Sequence, residues 1–324
     1  MRLIEITGGG YTAVFNPDKG ANCIRLRHDS GIRMLREQSD PREQPDNPYL
    51  YGMPILFPVN RIAGGTFTFE GRTYRFPINE PTTGCHLHGE LHQTPFTVIE
   101  HTAHSLTCIY RATKAAPYLS FPHAFEIEMT YALDENGLHH TVRVSNRSDT
   151  NMPCLLGFHT TFYARLADGC PQNSAVRVGV TEEFERNMQN YLPTGVTPAL
   201  DAVSLELQNG TFCPFSQPIS RHYRGAGEMS ITDTETGVRV VYENDAQYGF
   251  RLIYNGSADE YICLEPQNCL ANCANAPIDR KTAGFDYIPP GQTKTYRSRI
   301  YLETGRRNAQ QPLNSKNEIA AVPG

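Results

Sequence analysis

Tryptophan is absent from this sequence of 324 residues, and several features that would narrow its function are absent too. No apolar run approaches the length of about 18 residues that a membrane-spanning helix needs. No run of lysine or arginine stands out and the net charge is only −5, which argues against nucleic acid or an anionic membrane surface as a partner. The glycines of the opening "MRLIEITGGG" are not followed by the G-x-G-x-x-G pattern of a phosphate-binding loop.

The nine cysteines form no recognisable framework. They are odd in number and lie in apolar contexts such as "EYICLEP", and the N-terminus lacks the apolar segment of a secretion signal. We therefore interpret them as reduced, mostly buried thiols of a cytoplasmic protein. Cys263, Cys269 and Cys273 leave a zinc cluster open, although the paired C-x₂-C spacing typical of such sites is missing.

Hydrophobic residues recur with a period of two, which is typical of β-strands. "GTFTFEGRTYRF" predicts a hairpin that turns at Glu70-Gly71, and "FEIEMTYALDENGLHHTVRVSN" predicts another around Asn136-Gly137. No segment predicts a helix of more than about three turns. Turn signals at roughly 8–12-residue spacing predict an all-β sandwich or barrel. Since no linker divides the chain, we expect one domain over residues 1–304 and a polar tail over 305–324. Further strand candidates are "YTAVF", "NCIRLRH", "FTVIEH", "SLTCIYRAT", "AVRVGV", "VRVVYE", "FRLIYN", "EYICLE" and "TYRSRIYL".

The segment "GCHLHGELHQTPF" concentrates three of the 11 histidines within seven residues: His86, His88 and His92. If "CHLHG" is extended, His86 and His88 face the same way. That geometry suits two metal ligands, and it suits two hydrogen-bond donors to a polar ligand equally well. The H-x-H-x₃₋₄-E pattern of cupin metal sites is not met, because Glu90 comes too soon after His88. A surface or structural role is the third possibility.

Two other stretches place a polar side chain in an apolar, strand-like run. His159 lies in "CLLGFHTTFYA", where a lone histidine is typically a satisfied core residue, although its polar neighbours also suit the floor of a wet groove. Glu265 ends the strand in "EYICLEPQN", and a buried carboxylate is costly unless it is paired or used. A salt bridge at the rim of the fold is the alternative for Glu265.

Asn60-Arg61 lies between the apolar "PILFPV" and the first hairpin. The guanidinium of Arg61 could hold hydroxyls, a carboxylate or a phosphate there. Alternatively, Asn60 stabilises a turn and Arg61 faces solvent.

Taken in order, these stretches resemble the aldose 1-epimerase (galactose mutarotase) family. "NRIAGGTFTFEGRTYRFPINEP" is similar to that family's N-R-I-x-x-G-x-F-x-x-x-G-x-x-Y segment, which a short loop joins to L-H-G, here Leu87-His88-Gly89. "GFHTTF" resembles the segment that carries the family's central catalytic histidine, and "LEPQN" the segment with its catalytic glutamate. The resemblance covers roughly residues 1–302.

The resemblance implies a large antiparallel β-supersandwich whose groove is lined by Arg61, His88, His159 and Glu265. It implies an isomerase of carbohydrate metabolism that interconverts the α and β anomers of a free or modified aldose. His88 and Arg61 would bind sugar hydroxyls without a metal, and His86 would lie nearby as a further substrate-binding residue.

The chemistry of the reaction suggests a role for each catalytic group. Anomers interconvert when the C1 hydroxyl loses a proton and the ring oxygen gains one, so one base and one acid suffice. We assign Glu265 as the base and His159 as the acid, and we expect the carboxylate to keep the imidazole charged. Only protons move, so no cofactor is expected. Without tryptophan, stacking on the sugar falls to tyrosine or phenylalanine, such as Phe162, Tyr163 or Tyr51.

This chain departs from the family's pattern at two places. Glu90 stands where the hexose mutarotases have a second glycine after L-H-G, and "PISRHYRG" lacks the aspartate that helps those enzymes to hold the sugar. The resemblance therefore leaves the identity of the sugar open.

A sugar-phosphate epimerase is one alternative, with Arg61, Arg72, Arg75 and Arg221 available to bind the phosphate. A non-catalytic carbohydrate-binding protein is a second. A lyase or hydrolase is a third, though it would need further domains. The oligomeric state is left open.

Overall fold

The computed structural model describes residues 2–43, 45–167, 172–256, 258 and 260–304, and their regular secondary structure is almost entirely β-strand. The predicted all-β class is confirmed. The predicted tail over 305–324 lies outside the described residues. The strands are β1 Ile4–Gly8, β2 Tyr11–Asn16, β3 Asn22–His28, β4 Ile55–Leu56, β5 Arg61–Ala63, β6 Thr66–Phe69, β7 Arg72–Arg75, β8 Cys85–Leu87, β9 Thr97–His101, β10 Ser105–Ala112, β11 Phe125–Asp134, β12 Gly137–Asn146, β13 Met152–Pro153, β14 Gly157–Phe158, β15 Thr161–Tyr163, β16 Ser174–Phe184, β17 Ser220–Asp233, β18 Arg239–Asn244, β19 Phe250–Tyr254, β20 Tyr261–Gln267, β21 Tyr287–Ile288 and β22 Thr293–Glu303.

One antiparallel sheet of 13 strands dominates the fold. Its strands follow the order β4-β14-β20-β19-β17-β18-β22-β12-β11-β10-β9, with β15 paired to β20 and β16 paired to β17. A three-stranded sheet β1-β2-β3 and the pairs β5-β8, β6-β7 and β13-β21 complete the described architecture. The order matters for function because β4, β14, β15, β19 and β20, which are far apart in sequence, become neighbours at one end of the large sheet.

Both predicted hairpins are present. β6 and β7 pair with Phe69 opposite Arg72, so Glu70 and Gly71 form the turn as expected. Buried and less buried residues alternate over all ten residues of β11 and over residues 138–144 of β12, and Asp134 pairs with Gly137. The turn residues of this second hairpin are therefore 135 and 136, one position before the predicted pair.

The α-helix α1 spans Ala202–Asn209. The side chain of Asp201 accepts a hydrogen bond from the backbone N–H of Ser204 at its start, and Gly210 ends it in the left-handed conformation. No helix in the described part of the chain is long and apolar enough to cross a membrane.

Candidate active site

Strand register brings His159 and Glu265 together from positions more than 100 residues apart. Gly157 of β14 pairs with Gln267 of β20, and Thr161 of β15 pairs with Cys263 of the same strand. His159 lies midway between those two antiparallel pairs, so the register places it opposite Glu265. The short break between β14 and β15 leaves the imidazole free of the regular ladder, and its backbone N–H donates instead to the carbonyl of Pro54.

The two side chains form a close pair with spare hydrogen-bonding capacity. Nε2 of His159 lies 3.2 Å from Oε1 of Glu265. Oε2 of Glu265 accepts a hydrogen bond from Nε2 of Gln267 at 3.0 Å. Among the described residues, neither Oε1 of Glu265 nor Nδ1 of His159 has a well-aligned hydrogen-bond partner. Buried polar atoms are normally satisfied, so these two atoms are candidates for contact with a bound ligand.

Burial decides the protonation of this pair. Desolvation lowers the pKa of His159 to about 3. Desolvation also raises the pKa of Glu265 to about 8, even though the Gln267 hydrogen bond and the charges of Arg186 and Arg61 pull that pKa down. Near neutral pH the two groups therefore hold one proton between them, on the carboxyl group. This is the reverse of the sequence-based expectation that the carboxylate would keep His159 charged, because burial of both groups penalises the ion pair more than their attraction favours it.

His88 lies beside the pair, in a backbone conformation that alternation along a strand does not predict. Both His88 and Asn60 have positive φ, at 62° and 60°. The backbone N–H of His88 donates to the carbonyl of Asn60, and the backbone N–H of Asn60 donates to Nδ1 of His88. Since Nδ1 is an acceptor, neutral His88 carries its proton on Nε2. Desolvation, with a smaller contribution from the neighbouring His159, lowers the pKa of His88 well below its usual range, so His88 is a neutral hydrogen-bond donor.

Arg61 lines the same site but is already paired. Its Nε and Nη2 atoms donate to the two carboxylate oxygens of Glu80, at 2.7 Å each. Its guanidinium also lies 4.5 Å from the centroid of the Tyr191 ring. Glu80 therefore compensates the charge of Arg61, and the paired side chains of Arg61 and Glu80 form one polar side of the cleft.

The other two histidines of the cluster take different positions. His86 faces away from the site: its ring stacks on Phe76 with centroids 5.0 Å apart, and its Nδ1 lies 2.7 Å from the carbonyl oxygen of Pro77. His92 packs against the Tyr49 ring, at 4.7 Å between centroids. The structure thus brings His88, His159, Glu265 and Arg61 to one cleft and places His86 and His92 outside its lining. The left-handed conformation of His88 breaks the extended geometry that would have kept His86 on its side.

Tyr49 is a site residue that sequence reasoning missed. It lies in the short 3₁₀ turn Pro48–Leu50, and its ring lies 4.7 Å from that of His88 and 5.8 Å from that of His159. Tyr191 and Tyr254 also line the cleft. The three aromatic residues expected to stack on a sugar lie elsewhere: Phe162 packs on Tyr242, Tyr163 accepts a hydrogen bond from Glu37, and Tyr51 lies over Arg36.

Arg186 is a second site residue that sequence reasoning missed. It follows β16 in a loop closed by two backbone hydrogen bonds, from Glu185 to the carbonyl of Val196 and from Thr194 to the carbonyl of Glu185, and this loop also carries Tyr191 into the cleft. Its Nη2 atom donates to the carbonyl oxygen of Ser220 at 2.5 Å and to the Ser220 hydroxyl at 2.8 Å. Ser220 begins "SRHYRG", the segment in which the resemblance leads us to look for an aspartate. Arg221 in that segment pairs instead with Glu183 and Asp201.

The resulting cleft has a volume of about 800 Å³. Within the described residues, His159, Cys263 and Glu265 are the one set of three potential metal ligands whose donor atoms come within 4.8 Å of each other. Burial raises the pKa of the Cys263 thiol well above its usual range, which keeps it protonated, whereas a metal ligand has to be a thiolate. The chemistry that these groups present is that of proton donors and acceptors around a polar cleft.

Comparison with known proteins identifies the family and the fold. A sequence model of the aldose 1-epimerase family matches residues 2–300. The structure of a galactose mutarotase-like protein from Clostridium acetobutylicum is similar with a TM-score of 0.88 and 30% identity, over 94% of this chain and 95% of that one. An aldose epimerase homologue from C. elegans shares the fold, with a TM-score of 0.75 and 18% identity over 94% and 99% of the two chains. The Escherichia coli K12 protein YihR, which is uncharacterised, is 27% identical over 249 residues, or 74% of this chain and 77% of YihR. The predicted galactose mutarotase-like β-supersandwich is confirmed, and the chain belongs to the aldose 1-epimerase family.

Proposed function

We propose that this protein is an isomerase that interconverts the α and β anomers of an aldose. The observation that carries the proposal is the pair of His159 and Glu265, with Nε2 and Oε1 3.2 Å apart in a cleft of about 800 Å³. Each has a buried polar atom with no well-aligned partner among the described residues. A sugar hydroxyl and a ring oxygen are groups that could meet these two atoms.

The pair carries the one proton that the reaction needs. Ring opening removes a proton from the C1 hydroxyl and delivers one to the ring oxygen, and ring closure on the opposite face of C1 reverses both transfers. We assign Glu265 as the base and His159 as the acid in ring opening, and the two roles reverse in ring closure. Each group is expected to contribute about 10²–10⁴-fold to the rate.

Substrate binding prepares the pair for this role. Burial by itself favours the neutral state of the pair, with the proton on Glu265. A sugar hydroxyl that donates to Oε1 would stabilise the carboxylate, because hydrogen bonding to the charged form lowers a carboxyl pKa. The proton would then move to His159, where the ring oxygen can receive it. Ring opening regenerates the neutral pair that burial prefers.

Other residues of the cleft would hold the sugar in place. His88 would donate from Nε2, since its Nδ1 accepts from the backbone of Asn60. Arg61 would present the remaining guanidinium N–H groups that Glu80 does not take. Tyr49, Tyr191 and Tyr254 offer aromatic faces at the lining. His86 remains a weaker candidate for substrate binding, because its ring packs on Phe76 rather than at the cleft. No cofactor enters the proposed reaction, since only protons move.

Saturation-exchange NMR at the anomeric protons tests the proposal. Purified protein is added to a panel of aldoses at equilibrium, and exchange between the α and β signals is compared with that of the blank. Enhanced exchange of at least one sugar is the expected result. Sugar binding without any increase in exchange would replace the proposal with a carbohydrate-binding function.

A further inference from the structure

We propose that the aldose bound by this protein carries an oxyanion, such as a carboxylate or a phosphate, and that Arg186 binds it. This inference rests on the proposed epimerase function and specifies its substrate class. The distribution of charge among the residues that line the cleft supports it. The four arginines considered from sequence do not carry it: Arg61 pairs with Glu80, Arg221 pairs with Glu183 and Asp201, and Arg72 and Arg75 are exposed side chains outside the lining.

The described lining holds four residues that are ordinarily charged: Arg61, Glu80, Arg186 and Glu265. Arg61 and Glu80 neutralise each other through a bidentate ion pair. Glu265 is protonated near neutral pH, since its pKa is raised to about 8. His88 and His159 are neutral, since burial lowers the pKa of each. Among these lining residues, Arg186 therefore keeps a positive charge that no other lining residue compensates.

The surroundings of Arg186 make that charge unusual. Only 8% of the residue is exposed, and no carboxylate among the described residues lies within ion-pair distance of it. Its Nη2 atom donates to the carbonyl oxygen and the hydroxyl of Ser220, and its guanidinium lies 5.7 Å from the centroid of the Tyr191 ring. Burial lowers its pKa to about 10, so it stays cationic at neutral pH. A buried cation is costly unless a partner offsets the desolvation.

The geometry suits a partner delivered by the substrate. Ser220 occupies Nη2 and fixes the plane of the guanidinium, while Arg186 and Ser220 both line the cleft. With Nη2 occupied, the Nε–H group and the two N–H groups of Nη1 remain as donors, and each can donate to an oxygen of a carboxylate or phosphate. A sugar hydroxyl could also accept from Arg186, but it would leave the charge uncompensated.

A different role for Arg186 would be to tune Glu265. Its charge lowers the pKa of that carboxyl group. If Arg186 only adjusted the pKa of Glu265, removal of the guanidinium would shift the alkaline limb of the pH profile by the same amount for every sugar. If it binds an oxyanion, removal would act chiefly on the sugars that carry one.

The test compares kcat/KM for matched sugars by anomeric exchange: glucose with glucuronate and glucose 6-phosphate, and galactose with galacturonate. For wild-type protein we expect at least one anionic sugar to exceed its neutral parent by about tenfold or more, the size of a charge-assisted hydrogen-bonded contact. Arg186→Met should lower kcat/KM for that sugar by at least about tenfold more than for the neutral parent. Arg186→Lys keeps the positive charge but not the planar guanidinium. Its kcat/KM for the anionic sugar should therefore lie between the values of wild-type protein and Arg186→Met.

Arg251→Met is the matched control. Arg251 is also buried, with its pKa likewise lowered to about 10, but it bonds to the carbonyls of Tyr248 and Phe250 and lies outside the cleft lining. Its variant should change the rates for both sugars by the same factor. The inference is overturned if neutral sugars are turned over as well as the anionic ones, or if Arg186→Met acts equally on both. Exchange of no sugar at all would overturn the proposed function and this inference with it, so the two failures are distinguishable.

Discussion

At the scale of single residues, the proposed reaction depends on one proton shared by two buried groups. His159 and Glu265 are 9% and 1% exposed at their side chains, and in isolation each would prefer its neutral form. The pair loses its last proton only when the pH exceeds the raised pKa of Glu265, about 8. An exposed pair with ordinary pKa values would lose that proton near the free histidine value of about 6.5.

The pH profile of the proposed exchange activity follows from this shared proton. We predict that kcat/KM for anomeric exchange is level through neutral pH and falls about tenfold per pH unit above about pH 8, since the unprotonated pair has no acid. The measurement is exchange at low substrate concentration, corrected for the buffer-catalysed blank. An alkaline limb near pH 6.5 would show that burial does not control the pair.

Short sequence patterns identified some residues of this candidate site and could not identify the others. Arg61, His88, His159 and Glu265 lie in short patterns that can be read locally, and the structure brings all four to the cleft. Tyr49 and Arg186 carry no such pattern. Each lies in an irregular segment whose position depends on pairings elsewhere, such as the hydrogen bond from Thr161 to the carbonyl of Tyr49.

At the scale of elements, very short strands position the site. β5 and β8 have three residues each and pair Arg61 with Leu87, which sets Asn60 against His88. The chain then turns at Gly89, which forms a bridge with Phe57 next to β4. A β-carbon at Gly89 would lie 1.9 Å from the carbonyl oxygen of Phe57. This close approach holds the His88 backbone in its left-handed conformation.

Gly89→Ala should therefore be far more damaging than a glycine substitution in the same backbone conformation elsewhere. Gly84 has φ of 66°, like the 64° of Gly89, but a β-carbon there meets nothing within 4 Å. We expect Gly84→Ala to cost about 1–2 kcal/mol of unfolding free energy through backbone strain alone. Gly89→Ala should cost more and should also raise KM, because His88 has to move.

Chemical denaturation of the two variants and their KM values provide the measurement. Equal losses of stability would mean that the approach of Phe57 to Gly89 contributes nothing.

The alternation of hydrophobic and polar residues predicted the long, regular strands. It missed the strands in which this alternation is interrupted. β11 and β12 could be predicted from the sequence because buried and less buried residues alternate along most of their length. β17 is the longest strand, with 14 residues, and it was not predicted, because "SRHYRGAGEMSITD" interrupts its pattern with two glycines. Gly225 is needed there since a β-carbon would lie 2.5 Å from the carbonyl oxygen of Gly179, where the pairing with β16 shifts register. Such long-range constraints leave no periodic signal.

At the scale of the whole molecule, the site costs stability. Glu265 lies in β20, within the large sheet, and every residue of that strand is buried. Its pKa is raised from the usual 4.5 to about 8. The folded state therefore binds a proton more tightly than the unfolded chain does. The contribution of Glu265 to folding stability is therefore greatest below pH 4.5, and it is lost progressively as the pH rises to about 8.

Glu265→Gln should therefore stabilise the protein while it abolishes activity. We expect little change in the free energy of unfolding near pH 4 and a gain of about 1–4 kcal/mol near pH 8, measured by denaturation at both values. Glu80→Gln is the matched control with the opposite sign, because it breaks the bidentate pair with Arg61. A destabilised Glu265→Gln protein at pH 8 would contradict the account.

The most direct test of the central claim is anomeric exchange by the variants Glu265→Gln and His159→Asn, measured by NMR on the best sugar of the panel. His140→Asn is the control, since His140 is a buried histidine with its pKa lowered to about 3 that packs on Tyr131 and Phe158, away from the cleft. The account predicts that each site variant falls to the blank rate while the folded His140→Asn protein keeps its exchange. Full exchange by either folded site variant would contradict it.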